Sequence, residues 1–194
     1  MKLSKLLLAV VGAAVLLGAL VSSASARNLS STSTAIDATF ARLDFSGGFG
    51  TVECEVTLRG SLSSRTIAKV ARRVIGAITD ARVRTPCRRG EATVLAATLP
   101  WSVQYNNFAG TLPNITSFST RVVDFSFVYR EWVFGVTCLY SSTEASPAIG
   151  TYNREAAGRI SSVSVSGTVP TSCGINGTFS GTSTILTAFT VTLI

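Results

Sequence analysis

Residues 51–59 read Thr51-Val52-Glu53-Cys54-Glu55-Val56-Thr57-Leu58-Arg59, and their alternation decides the fold class. Val52, Cys54, Val56 and Leu58 fall on one side, and Thr51, Glu53, Glu55, Thr57 and Arg59 on the other. A pleated strand turns successive side chains to opposite faces, so this is a strand with one buried and one wet face. The pattern returns at 131–140, where Trp132, Phe134, Val136, Cys138 and Tyr140 share a face. It returns again at 184–194, where Ile185, Thr187, Phe189, Val191 and Leu193 alternate with Leu186, Ala188, Thr190 and Thr192. Both faces of that last stretch carry apolar groups, which predicts a central strand.

Segments 91–106, 118–129 and 159–169 read as further strands. Pro100 has no N–H to donate, so it predicts a bulge, an edge or two shorter strands within 91–106. Asp124, between Val123 and Phe125, is expected on the solvent side. Gly47-Gly48, Gly110, Gly150, Gly174 and Asn176-Gly177 punctuate the chain as turns. About seven to nine strands at this spacing predict an all-β fold, an antiparallel β-sandwich or partly closed barrel.

One segment departs from period two. Ile67, Val70, Ala71, Val74, Ile75 and Ile78 recur at helical spacing and fall within an arc of roughly 140° at ~100° per residue. Arg65, Lys69, Arg72 and Arg73 occupy the opposite face, and Ser63 or Ser64 is available as N-cap. This predicts one amphipathic helix near 65–76, followed by a strand to Thr85.

Residues 1–26 read as a secretory signal peptide. Lys2 and Lys5 form a positive start, Leu6 to Val21 is an uncharged apolar run, and Ala24-Ser25-Ala26 is a small-residue cleavage site. Cleavage after Ala26 leaves a secreted chain that begins at Arg27. Residues 27–35 are Ser/Thr-rich without periodicity and are expected to be a flexible arm, ahead of a single domain over 36–194.

Cys54, Cys87, Cys138 and Cys173 form an even set in an exported chain, which predicts two disulfides. Three connectivities are open. Sequential pairing, Cys54–Cys87 and Cys138–Cys173, closes loops of similar size and is the one expected. A Cys₄ zinc site would need close cysteine pairs, and the chain has no C-x-x-C.

The chain has no histidine, so Ser-His-Asp triads, Cys-His pairs and histidine-bearing metal sites are ruled out. No EF-hand loop occurs and no cofactor is expected. Glu53 and Glu55, alternate residues on one face, are the one near carboxylate pair that could serve glycoside hydrolysis. The simpler reading is a solvent face with cross-strand arginine partners. A Thr66–Lys69 dyad is conceivable, but nothing else supports it. Trp101, Tyr105, Phe108, Tyr129, Trp132 and Tyr140 could stack on a flat ligand, although on alternating strands such rings usually belong to the core.

Charge is uneven. Residues 59–89 hold nine cations and one acid, while the rest of the chain after the leader is net −3. Arg72, Arg73, Arg82, Arg84, Arg88 and Arg89 are therefore the candidate contact residues for an anionic envelope polymer or a membrane surface. Export argues against nucleic acid as the partner.

Several stretches resemble a group of small secreted β-rich proteins of high-GC Gram-positive, actinobacterial type. They are Cys54-Glu55-Val56-Thr57-Leu58-Arg59-Gly60-Ser61, Arg65-Thr66-Ile67-Ala68-Lys69-Val70, Ala97-Thr98-Leu99-Pro100-Trp101, Gly110-Thr111-Leu112-Pro113-Asn114-Ile115-Thr116 and Cys173 to Thr182. A fainter similarity runs to secreted β-rich proteins described as alkane-oxidation activators. The resemblance implies secretion, a β-rich fold and sequential cysteine pairing, and it brings no catalytic residue.

The expectation is thus a non-enzymatic extracellular binding or structural module. A carboxylate-dependent hydrolase is the alternative. A small membrane β-barrel is a third possibility that the charged outward face of 51–59 argues against.

Overall fold

The computed structural model describes residues 28–111, 114–185 and 189–194. The expected leader over 1–26 and its cleavage site lie outside the described residues. The alternation at 51–59 forms the middle of β3 (Gly50–Leu62), with Val52, Cys54 and Val56 buried. The other strands are β1 (Asn28–Ser31), β2 (Ala35–Gly47), β4 (Thr66–Ala68), β5 (Val74–Arg88), β6 (Gly90–Val94), β7 (Trp101–Thr111) and β8 (Asn114–Val123). They continue with β9 (Ser126–Glu131), β10 (Thr137–Ser141), β11 (Ala148–Arg154), β12 (Ile160–Pro170), β13 (Asn176–Ile185) and β14 (Val191–Leu193).

The architecture is all-β and antiparallel, as the alternation predicts. Eight strands close a barrel in the order β11-β12-β13-β2-β3-β5-β7-β8, with β8 pairing back to β11. Two three-stranded sheets, β14-β1-β4 and β10-β9-β6, complete it. The first lies where β2 begins and β3 ends. It brings Leu29, Ile67 and Val191 into the core. The second lies at the β2–β3 turn and packs its rings on the barrel: Phe127 and Tyr140 lie 5.2 and 6.0 Å from Phe45.

Most buried strand positions are apolar, with Gln104, Thr120, Arg121 and Ser183 among the polar exceptions, and most exposed ones are hydroxylated or charged. Thr39 and Thr57 share a hydrogen bond at 3.0 Å across β2 and β3, and Ser164 and Thr182 at 3.3 Å across β12 and β13. Such cross-strand pairs cover a wet face. A lipid-spanning barrel needs the reverse arrangement, with its apolar band outside. Among the described residues the barrel interior keeps an apolar void of about 40 Å3 beside Leu43, Phe45, Trp101, Phe125 and Phe179. A space of this size is what side-chain packing inside a small barrel leaves.

Three expectations are corrected. The helix near 65–76 does not form. Ile67 lies in β4, the chain turns at Arg72 with φ +65°, and β5 begins at Val74. Val70 and Val74, expected on the buried stripe, are exposed. The β-branched residues Ile67, Val70, Val74 and Ile75 favour extended backbone. Tertiary partners complete the choice: β1 offers an edge to β4, and the Arg72 N–H and Arg73 carbonyl both bond to the Tyr105 backbone. The arm expected over 27–35 is instead β1 from Asn28, paired on both sides with Leu29 fully buried. The final strand expected over 184–194 is divided: β13 ends at Ile185, and β14 leaves the barrel to pair with β1. Pro100 does separate two strands, β6 and β7.

All four tyrosines, Tyr105, Tyr129, Tyr140 and Tyr152, are buried. Burial holds each phenol above its ordinary value, with the Glu131 charge adding at Tyr129. Tyr140 is pushed up to about 12 by burial and then by Tyr129. The unfolded chain loses these protons near pH ~10. Above that pH the unfolded state binds fewer protons than the folded one, so stability is complete below pH ~10 and falls as pH rises towards ~12. The tyrosinate absorbance band should therefore emerge together with loss of near-ultraviolet circular dichroism. A band that develops near pH ~10 with the fold intact would contradict this.

Candidate functional site

Of the charged groups singled out from the sequence, the outer face of β2, β3 and β5 carries Glu53, Glu55, Arg82, Arg84 and Arg88. Strand register sets Asp37, Arg59 and Asp80 in one row and Asp44, Glu53 and Arg88 in another, with Glu55 opposite Arg84. Arg84 pairs with Glu55 at 3.2 Å, and Glu53 meets both Arg42 at 3.4 Å and Arg88 at 3.5 Å. Arg82 pairs with Asp80 at 3.0 Å. Arg42 donates to Asp44 at 2.7 Å. That hydrogen bond, then the charges of Asp44 and Glu53, hold the Arg42 guanidinium above its ordinary value. The arginine partners are 60–75 % exposed, so solvent screens these pairs and the lattice contributes more to neutrality than to stability.

Glu53 and Glu55 flank an open hollow of about 450 Å3, with Cys54 and Pro86 among its lining residues. The Cys54–Cys87 disulfide lies beneath and joins β3 to β5, and Cys138–Cys173 ties β10 to the β12–β13 turn. Sequential pairing is therefore the observed connectivity. Lys69 Nζ lies over the Phe108 ring at 5.2 Å from its centroid, and among the described contacts none joins it to Thr66.

The six candidate arginines do not share one surface. Arg82, Arg84 and Arg88 project along β5, and Arg89 holds φ +66° at the turn into β6. Arg72 and Arg73 sit before the start of β5, about 30 Å from Arg82 at ~3.3 Å per residue. Among the described residues Arg65, Arg72, Arg73 and Arg89 make no ion pair. The excess of charge in 59–89 thus falls into a compensated middle and uncompensated ends. The compensating acids Glu53 and Glu55 precede the segment, and only pairing of β3 with β5 brings them beside it.

Among the aromatic candidates, Trp101, Tyr105, Tyr129 and Tyr140 are core. Trp132 is not, and neither are Val133 and Phe134. The strand expected over 131–140 begins only at Thr137, because residues 132–135 form the β9–β10 turn. The Glu131 carboxylate accepts the N–H groups of Val133 at 2.8 Å and Phe134 at 2.7 Å, and Gly135 takes φ +65°. Gly135, inside an otherwise apolar run, was the signal for this turn.

Comparison with known families, with curated proteins and with solved structures finds no match.

Proposed function

We propose that this chain is an exported, disulfide-braced barrel that works without catalysis by binding anionic material of the cell envelope. The two disulfides indicate an oxidising compartment. The reading rests on the guanidinium groups left without an acid partner among the described residues, Arg65, Arg72 and Arg73 at one end and Arg89 at the other. Arg82, Arg84 and Arg88 are each engaged by Asp80, Glu55 or Glu53, so they contribute less to the outward field. We do not adopt the hydrolase alternative, since Glu53 and Glu55 are both held by arginines on an open face.

Retention of the leaderless chain on an immobilised poly(glycerol phosphate) column tests this. Binding should weaken steeply with salt. Arg65→Gln/Arg72→Gln/Arg73→Gln should elute at clearly lower salt than Arg82→Gln/Arg84→Gln. Equal elution of both variants with the parent protein would refute the reading.

A further inference from the structure

We propose that the barrel end at the β2–β3 turn is a membrane-insertion tip whose partner is a lipid bilayer with anionic headgroups. This rests on the envelope-binding reading and names the partner at one end. Three turns meet there. The β2–β3 turn presents Phe49, the β9–β10 turn presents Trp132, Val133 and Phe134, and the β12–β13 turn presents Ile175. A Cβ on Gly48 would stand 2.4 Å from Ile175 Cδ1, and one on Gly50 would stand 3.5 Å from the Glu131 side chain. The Trp132 N–H donates to the Arg89 carbonyl at 3.3 Å. Five of the nine exposed large apolar residues described in this chain therefore gather at one end, which random surface scatter does not produce.

The tip is held in shape. Glu131 is only 3 % exposed, and its carboxylate locks the turn that lifts Val133 to 78 % and Phe134 to 69 % exposure. The Cys138–Cys173 bridge fixes the adjoining turn to β10. A buried carboxylate used to keep apolar side chains in water is a cost that a purely structural turn would not need.

The chemistry around the tip selects the occupant. Arg88, Arg89 and Arg130 are exposed at its base. The neighbouring acids are Glu131, which faces inward, Glu53, which is held by Arg88, and Glu91, opposite Arg130 in the β6–β9 register. An apolar tip with exposed arginines at its base, of which Arg89 has no acid partner among the described residues, matches the layering of a bilayer surface, with phosphates outside and hydrocarbon below. Trp132 is 53 % exposed at this tip, and indole rings concentrate at membrane interfaces. The hydroxylated barrel wall behind the tip limits penetration to these turns.

The two tryptophans make the test direct, because Trp101 is buried in the barrel and serves as an internal constant. The leaderless, oxidised chain is titrated with phosphatidylglycerol-containing vesicles. Emission should shift to the blue and Trp132 should become shielded from iodide. Val133→Ser/Phe134→Ser should weaken vesicle partitioning by about tenfold or more while leaving phosphate-polymer retention unchanged. Trp132→Phe should still bind without the shift. Vesicle binding with unchanged Trp132 emission overturns the inference, as does polymer retention with no vesicle binding. Self-association lost in the serine variant, again without vesicle binding, would assign the tip to a second copy and overturn it too. Loss of both vesicle and polymer binding removes the envelope reading itself.

Discussion

Cys54→Ala combined with Cys87→Ala lowers folding stability by about 4 kcal/mol, and removal of both bridges lowers it by roughly 7 kcal/mol. The bonds close loops with sequence separations of 33 and 35 residues, so cutting either returns considerable conformational freedom to the unfolded chain. The first bond also joins β3 to β5 beside a register shift between Glu53 and Glu55, where ladder hydrogen bonding is interrupted. Guanidinium denaturation with and without reductant measures the effect. A midpoint unmoved by complete reduction would show that strand pairing alone holds the barrel. No described cysteine is free, so the bridges use every thiol these residues offer.

Trp101→Ala costs about 3–5 kcal/mol, whereas Trp132→Ala costs under ~0.5 kcal/mol. Trp101 is 1 % exposed and stands 5.8 and 5.4 Å from the Phe125 and Phe127 rings. Its indole N–H donates to Thr98 Oγ1 at 2.8 Å, a bond that truncation removes while the Thr98 hydroxyl still donates to the Leu95 carbonyl. The new cavity would join the existing apolar void, which Trp101 already lines. Neighbouring strands cannot collapse into it without breaking barrel closure. Trp132 loses little on truncation because its ring lies at the surface. Urea midpoints of the two variants decide the matter, and equal losses would mean that Trp132 also packs in the core.

The contrast between these two residues shows how far local pattern reaches. Both sit in apolar runs. Trp101 follows Pro100, and the break there was legible because proline lacks a donor. Trp132 follows Glu131, whose carboxylate folds back on two amides. That event depends on the burial of Glu131 under Gly50, a residue about eighty positions away. The stretch 65–76 makes the same point for secondary structure. Its helical spacing is real, but β1 and β7 supply backbone partners that a lone helix could not match.

Alternation at 51–59, the even cysteine set and the absence of histidine were enough to establish an antiparallel, cross-linked β protein lacking the commonest catalytic side chain. They sufficed because each is a property of neighbouring residues or of composition. Barrel closure, the pairing of Arg82, Arg84 and Arg88 with acids, and the meeting of Phe49, Trp132 and Ile175 at one end required the folded chain. Each joins residues far apart in sequence, and strand register, set by burial of one face across the whole sheet, is what brings them side by side.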